Sequence, residues 1–296
     1  MNVVGHCRFS YFGTSDTGRA IQDVDKAMAL LWNPQRMAVR FHLFEKITLP
    51  SIRNQTDQDF QFAIIASEQM PGAFRDRLEA LVEGDSNIRI LWTSDPSIKK
   101  ASRPLMLEAS NDRKDRALHF RLDDDDGLAA DYVRRLKLAA EPLDAPGVIS
   151  FTRGIIGYLD HGTARHRPFR KLGIAIGYGI VKEPHDTSSP FSIQHTRYAE
   201  KHLGHRDDEF VAYHYTRHST NNTNGYDQVI HRDGRVQDAI AVRARREAPE
   251  LVGARRATEE TDAMLKTAFP FSDGPSLRKV IEETLDPQKL TESFIP

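Results

Sequence analysis

The chain has 296 residues, of which 39% are hydrophobic and 28% are charged, a balance typical of a globular protein with a substantial core. Its 41 lysines and arginines nearly equal its 42 aspartates and glutamates, which argues against a nucleic-acid-binding protein, because such proteins carry a basic excess. Cys7 is the only cysteine, so disulfides within the chain and thiolate metal clusters are excluded.

The beginning of the chain has no basic segment followed by an apolar one, the pattern that marks a secretory signal. The longest nearly apolar run, residues 172–181, is far shorter than the ~20 residues that a membrane helix requires. We therefore expect a cytoplasmic protein without a transmembrane segment.

The first half of the chain alternates short apolar runs with helical patterns. Strands are predicted at 3–12, 60–66, 88–92 and 117–122, and helices at 37–48, 73–82 and 105–109. Pro50 lies where the first of these helices is expected to end. Strands separated by helices indicate βαβ units, and hence a mainly parallel sheet covered on both faces.

The second half has a different character. Residues 147–158 and 172–181 are apolar and rich in glycine, and they predict a hairpin or a pair of mixed strands joined by a basic loop at 161–171. From about residue 216 the chain turns polar, with a loop predicted at 221–225. Two helices are predicted after it, around 236–246 and 276–285.

Four adjacent aspartates, Asp123 to Asp126, directly follow the predicted strand at 117–122. Neighbouring carboxylates repel one another, so the run is costly unless a cation relieves it. Oxygen ligands select a hard ion such as Mg²⁺ or Mn²⁺, which takes its remaining ligands from water and substrate phosphates. The alternative is that one aspartate caps a helix predicted within 127–140. Capping explains one aspartate but not four.

The run from His119 to Asp126 resembles the DxD segment of nucleotide-sugar-dependent glycosyltransferases with the GT-A fold. Together with the segments RFS at 8–10 and LPSIRNQT at 49–56, it is similar to the rhamnosyltransferase family of bacteria, most clearly over residues 1–130. The resemblance implies a GT-A-like α/β fold, with a mixed, mainly parallel sheet flanked by helices. We expect this domain at 1–215, with a nucleotide-binding half at 1–130, an acceptor-side half at 145–215, and a polar and helical C-terminal extension at 216–296.

In GT-A enzymes the DxD aspartates bridge the donor's ribose and diphosphate through a divalent ion. The resemblance therefore implies metal contact for Asp125, with Asp123 and Asp126 sharing the metal and the ribose. Asp124 replaces the small residue that is usual between the two aspartates, and it is assigned to the donor site as well. A late histidine joins the metal in some of these enzymes, and His214 is the candidate here. Its alternative is a buried histidine that only forms hydrogen bonds within the fold.

Three further residues are implied donor contacts. Glu68 closes the second strand, where an acidic residue often contacts the donor base in this fold, although a solvated loop glutamate explains it nearly as well. Arg103 and Arg8 are candidates for the diphosphate, because a planar guanidinium matches phosphate oxygens. An internal salt bridge is the alternative for either arginine.

An inverting transferase also requires a base that takes a proton from the acceptor hydroxyl. The segment at 205–210 resembles the acidic pair that opens the acceptor-side helix of this fold, and Asp208 is the first choice, with Asp207 and Glu209 as alternatives. Acidic residues at a helix N-terminus also have a purely electrostatic explanation. Three alternatives are open for the basic run at 165–171: it faces an anionic acceptor, it faces lipid headgroups, or it is a solvated hairpin tip.

These observations predict a metal-dependent glycosyltransferase that uses Mg²⁺ or Mn²⁺ and a nucleotide-sugar. The resemblance implies dTDP-L-rhamnose as the donor, a glycan or glycolipid acceptor, polysaccharide biosynthesis and peripheral membrane contact. Two other functions fit the residues themselves. One is a metal-dependent nucleotidyl- or phosphoryl-transferring enzyme, although the common phosphate-binding motif GxxxxGK[ST] is absent from the sequence. The other is a non-catalytic protein that binds carbohydrate or a cation.

Overall fold

A computed structural model describes residues 1–13, 24–111, 113–192, 195–218, 228–230, 236–238 and 257–294. Its strands are β1 (Asn2–Arg8), β2 (Gln61–Ser67), β3 (Ile88–Thr93), β4 (Ala117–Asp123), β5 (Gly127–Leu128), β6 (Gly147–Asp160), β7 (Thr163–Arg170), β8 (Tyr178–Lys182), β9 (Leu203–Thr216), β10 (Gln228–Ile230) and β11 (Val236–Asp238). Its α-helices are α1 (Val24–Leu31), α2 (Pro34–Leu43), α3 (Leu49–Arg53), α4 (Gly72–Val82), α5 (Ile98–Ala101), α6 (Arg103–Ala109), α7 (Tyr132–Ala140), α8 (His195–His202), α9 (Ala257–Ala268), α10 (Gly274–Glu283) and α11 (Pro287–Phe294). A π-helix at Phe44–Thr48 and a 3₁₀ turn at Pro190–Ser192 complete the described elements.

Nine of the described strands form one sheet, in the order β3-β2-β1-β4-β8-β6-β9-β5, with β7 paired to β6. The strands from β3 to β4 are parallel, β8 runs antiparallel to β4 and β6, and β6 and β9 are parallel. This is the mixed α/β sheet that the sequence predicts.

Strand alternation decides which side chains of β1 and β4 reach the core. Cys7, Phe120 and Leu122 belong to the main hydrophobic cluster. Because neighbours along a strand project to opposite faces, Arg8 and Asp123 lie on the other face. The two residues are also directly paired in the parallel register, so they meet at the carboxyl ends of the strands.

The first long helix does not end at Pro50 as predicted. It continues from α2 through the π-helix at Phe44–Thr48 into α3, which ends at Arg53. The backbone N–H of Leu49 bonds to the carbonyl of Phe44, and Pro50 falls in the first turn of α3. A proline is tolerated there because the first turn of a helix needs no intrahelical donor.

The predicted basic loop at 161–171 is wrong, because most of it is strand β7. Strands β6 and β7 form an antiparallel hairpin, closed by a turn at His161 and Gly162, both with positive φ. The second predicted strand at 172–181 is shortened to β8, which bridges β4 and β6. Backbone pairing between distant segments decided these bounds, and single-sequence periodicity does not report such pairing.

Two predicted helices are also corrected. Gly127–Leu128 is a short strand paired to β9, and the helix predicted within 127–140 begins only at Tyr132. Val236–Asp238, predicted as the start of a helix, is a strand paired to β10. The predicted loop at 221–225 and the rest of the predicted helix, 239–246, lie outside the described residues.

The C-terminal helices pack onto the sheet domain. Leu265 of α9, Phe269 directly after that helix and Leu277 of α10 share a hydrophobic cluster with Val39 and Leu43 of α2. Helices α9 and α10 also contact β7. The division of the chain at residue 215 stays a prediction. Among the described helices, none combines the length and the apolar character that crossing a membrane demands.

Candidate functional site

The four aspartates form a turn, residues 123–126, between β4 and β5, and we call it the acidic turn. The side chain of Asp123 at the end of β4 is 32% exposed. Asp124, Asp125 and Asp126 are buried. One carboxylate therefore reaches the surface at the carboxyl end of the strand, while three point into the protein and require partners there.

Arg40 on α2 is the principal cationic partner of the buried carboxylates. Its Nε donates to Asp124 Oδ2 at 3.2 Å and its Nη1 to Asp125 Oδ2 at 2.8 Å, and Nη2 also contacts Asp124 Oδ1. The guanidinium is itself buried. Sequence reasoning missed this residue. Its signal is a charged side chain in helical phase with the core residues Met37 and Phe44.

His218, just beyond β9, contacts the same carboxylate of Asp125. The Nε2 of His218 lies 2.9 Å from Asp125 Oδ2, and the histidine is buried. Burial raises the pKa of Asp125, but the charge of Arg40 and the hydrogen bond from His218 outweigh it and hold that pKa below its usual value. Burial also lowers the pKa of His218, against the attraction of Asp125.

Asp126 is the carboxyl group of the turn whose ionised form the protein stabilises least. Its Oδ1 accepts a hydrogen bond of 2.8 Å from the backbone N–H of Thr216. Burial, followed by repulsion from Asp125 and Asp123, raises its pKa well above the usual value. The acidic turn therefore holds more carboxylate than Arg40 compensates, which favours the binding of a cation.

The carboxylates of the acidic turn are the type of ligand that a hard divalent ion prefers. Asp125 Oδ2 and His218 Nε2 lie 2.9 Å apart because they share a hydrogen bond, and Arg40 donates to the same oxygen at 2.8 Å. Within the described ranges, no group of three or more His, Cys, Asp or Glu side chains converges on a metal position. Mg²⁺ commonly uses only one or two protein carboxylates together with phosphates, so a larger set of protein ligands is not required.

Two arginines flank Asp123 at the exposed end of the turn. Arg121 Nη2 lies 3.2 Å from Asp123 Oδ1, and Arg8 Nη2 lies 3.8 Å from the same oxygen. Each guanidinium also lies over the ring of Phe191, with 4.6 Å from Cζ to the ring centroid. This pair of planar cations suits the oxygens of a diphosphate. Arg121 was not predicted, although it stands two residues before the run.

The segment that carries the predicted base is a strand and not the start of a helix. Residues 207–209 lie within β9, where the pairing with β6 shifts register between Phe151 and Arg153. Backbone hydrogen bonds to β6 override the local helical signal of the acidic residues.

Asp208 lies at this shift of register, and its carboxylate accepts hydrogen bonds from two side chains, one neutral and one cationic. Thr152 Oγ1 donates to Asp208 Oδ1 at 2.5 Å, and Arg206 Nε donates to the same oxygen at 3.0 Å. These two hydrogen bonds lower the pKa of Asp208, so the carboxylate is ionised at neutral pH.

Asp207 and Glu209, the two alternatives to Asp208, differ from it in the groups that surround their carboxylates. Asp207 Oδ1 accepts the backbone N–H groups of Glu209 and Phe210 at 2.8 and 2.9 Å, which is a local structural role. Glu209 lines a cavity of about 690 Å³ together with Arg135 and Met264.

His214 is not brought to the carboxylate of Asp125. Its Nε2 lies 3.0 Å from Nε2 of His166, and its Nδ1 lies 3.2 Å from Oγ1 of Thr216. Burial and the neighbouring His166 lower its pKa well below the usual value. Both ring nitrogens are therefore engaged within the fold, and among the described histidines it is His218 that contacts the acidic turn.

Glu68 and Arg103 lie at the predicted places in the chain, directly after β2 and at the start of α6. Both are exposed. Among the described residues, neither makes a hydrogen bond or an ion pair with the acidic turn. Their assignment to the donor base and the diphosphate stays a prediction.

A family model described as "Putative rhamnosyl transferase" matches residues 2–228 of the chain. The chain belongs to this family. It is therefore a glycosyltransferase, and the match confirms the family that the DxD-like run, the LPSIRNQT segment and the RFS segment indicate. The sheet order and the position of the acidic turn at the end of β4 agree with the predicted GT-A-like class of the family.

This chain is similar to several solved structures. One is TarS (residues 1–349) of S. aureus in complex with UDP-GlcNAc, at 10% identity and a TM-score of 0.44, covering 99% of this chain and 80% of that one. Another is a "putative nucleotide-diphospho-sugar transferase" from Desulfovibrio desulfuricans, at 12% identity and a TM-score of 0.34, covering 85% of this chain and 97% of the other. Among curated proteins, none matches the chain.

Proposed function

We propose that the protein transfers a sugar from a nucleoside-diphosphate donor to a hydroxyl group of a glycan or glycolipid, with Mg²⁺ or Mn²⁺ and with inversion at the sugar. The observation that carries the proposal is the acidic turn at the carboxyl end of β4, in a chain that belongs to a glycosyltransferase family. The description of that family supports rhamnose as the sugar, and dTDP-L-rhamnose as the first donor to test.

The donor diphosphate is assigned to the exposed end of the acidic turn. There Arg8 and Arg121 present two guanidinium groups beside Asp123. Their charge stabilises the phosphates, and Asp123 is the carboxylate with access to a ribose. In open α/β sheets, ligands bind at the carboxyl ends of the strands, which is where these residues meet.

Asp125 is the residue that would hold the divalent ion, and Arg40 and His218 fix its carboxylate through contacts with Oδ2. When bound, such an ion stabilises the negative charge that builds up on the departing diphosphate. The rigid attachment of Asp125 keeps its second oxygen oriented without a loss of side-chain entropy on binding.

Asp208 is the proposed base. Thr152 and Arg206 orient its carboxylate, and the lowered pKa keeps it in the ionised form that a base requires, with a lower basicity than a free aspartate. Inversion follows if the acceptor hydroxyl attacks the sugar from the side opposite to the diphosphate while Asp208 takes its proton. Asp207 and Glu209 are the alternatives.

The test measures nucleoside diphosphate released by the purified protein from dTDP-L-rhamnose and a panel of other nucleotide-sugars, with MnCl₂ or with EDTA. We expect Mn²⁺-dependent release for one donor, and a loss of at least about 100-fold in Asp125→Asn. The matched control is Asp59→Asn, which removes a fully exposed carboxylate paired to Lys137 and should keep full activity. Full activity in Asp125→Asn rejects the metal assignment, and release of sugar 1-phosphate in place of nucleoside diphosphate identifies a nucleotidyl transferase.

A further inference from the structure

The β6–β7 hairpin extends beyond the part of the sheet that β8 covers. Strand β8 pairs only with Gly147 to Ile149 of β6, whereas β7 and β9 accompany the later part of β6. In the antiparallel register Ile156 faces Arg167 and Gly154 faces Phe169, and in the parallel register Ile156 faces Tyr215. Paired residues project to the same face of a sheet. We call the resulting surface the hairpin face: Tyr158, Arg167, Phe169, Lys171 and Tyr215.

The opposite face of the hairpin is already occupied. Helices α9 and α10 contact β7 there. His166 on that face is buried against His214, and Gly157 approaches Ile281 of α10. A ligand that binds the hairpin therefore uses the hairpin face.

The hairpin face combines aromatic rings with positive charge. Arg167 lies with its Cζ 5.9 Å from the ring centroid of Tyr158, and the rings of Phe169 and Tyr215 lie 5.9 Å apart. Arg165 at the tip is neutralised by Asp160 at 2.6 Å. In the described part of the chain, no carboxylate pairs with Arg167 or Lys171, and Nε of Arg167 is buried without a hydrogen-bond partner.

The hairpin face lies next to two parts of the proposed site, the base Asp208 and the acidic turn. The backbone N–H of Lys171 donates to the carbonyl of Thr152 at 2.8 Å, and the side chain of Thr152 donates to the proposed base Asp208. Along β9, Tyr215 stands next to Thr216, whose N–H binds Asp126 of the acidic turn. A molecule that presents a hydroxyl to Asp208 therefore has the hairpin face beside it.

We propose that the hairpin face binds the acceptor, and that the acceptor is an acidic glycan, one that carries carboxylate or phosphate groups. The flat apolar faces of sugars suit half-buried aromatic rings. The half-buried guanidinium of Arg167 and the exposed ammonium of Lys171 favour an anionic partner, because charge complementarity favours opposite charges across a contact. The proposal rests on the proposed function, since it identifies the substrate class of the same site.

The test compares binding of oligogalacturonate with binding of its carboxyl-reduced, neutral counterpart, by titration calorimetry on the full chain. Wild type should prefer the acidic oligomer, and the preference should decline as salt rises. The double variant Arg167→Gln, Lys171→Gln should bind the acidic oligomer about tenfold more weakly, as expected for two partly exposed charge pairs. Lys99→Gln, Lys100→Gln, which removes two exposed lysines on α5, is the matched control and should bind like wild type.

Three readouts decide the outcome. Equal affinity of wild type for both oligomers, or unchanged binding in the double variant, overturns the proposal. Binding to phosphatidylglycerol vesicles that the double variant loses, without binding to the oligomer, assigns the face to lipid and also overturns it. If wild type releases no nucleoside diphosphate from any donor in the presence of the acidic glycan, while that glycan still binds, the proposed function fails and the glycan site stands.

Discussion

The charge of Arg40 is predicted to hold the acidic turn together. In Arg40→Met, the buried carboxylates of Asp124 and Asp125 lose the donors at 3.2 and 2.8 Å that now bind them. Removing one partner of a buried ion pair costs about 3–5 kcal/mol, because the remaining charge is left uncompensated. We therefore expect the free energy of unfolding at pH 7 to fall by about that amount.

The pH dependence of this loss follows from the pKa of Asp125. In wild type that pKa lies below its unfolded value of ~3.9, so Asp125 stabilises the fold above pH ~4 and the contribution disappears as the pH falls through the folded pKa. In Arg40→Met, burial acts without the opposing guanidinium, so that pKa lies above the unfolded value and the sign reverses. The difference between the two proteins should grow from pH 4 to pH 7.

The assay is urea unfolding followed by circular dichroism at pH 4, 5, 6 and 7, without added metal. Arg89→Met is the matched control, because it breaks an exposed pair with Glu108 and should cost less than about 1 kcal/mol at any of these values. A loss in Arg40→Met below 1 kcal/mol at pH 7, or a loss that is the same at pH 4, refutes the electrostatic reasoning.

Three further outcomes are expected. Asp126→Asn should raise the free energy of unfolding at pH 7 in metal-free buffer, because the raised pKa makes the ionised carboxylate unfavourable while Asn still accepts from Thr216; a decrease contradicts this. His166, whose pKa burial lowers to about 3, stays neutral in the fold while the unfolded chain takes up a proton below pH 6.5. Stability is then lost as the pH falls from about 6.5 towards 3, and His166→Gln should reduce the slope between pH 5 and 4 by about 1.4 kcal/mol per pH unit, with an unchanged slope as the refuting result. Asp208→Asn should lower transfer by about 10²–10⁴-fold and keep the affinity for nucleoside diphosphate; wild-type transfer would place the base elsewhere.

Local signals were sufficient for much of the first half of the fold. Strands β2, β3 and β4 are rich in apolar residues, and none of their bounds differs from the predicted one by more than one residue. The failures lie where non-local contacts decide. β7 reads as a basic loop and residues 207–209 read as a helix start, but hydrogen bonds to β6 make both of them strand. The first long helix also continues past Pro50, because the π-helix at Phe44–Thr48 connects α2 to α3.

The candidate site also depends partly on local sequence and partly on non-local contacts. The sequence by itself determined the family, and it determined that four carboxylates follow an apolar strand, because both are properties of contiguous residues. Only the tertiary structure decided which side chains meet those carboxylates. Arg40 and His218 are separated from Asp125 by 85 and 93 positions in the chain. Helix packing and strand register set such contacts, and no local pattern encodes them, so the charge balance of the acidic turn is a property of the folded chain.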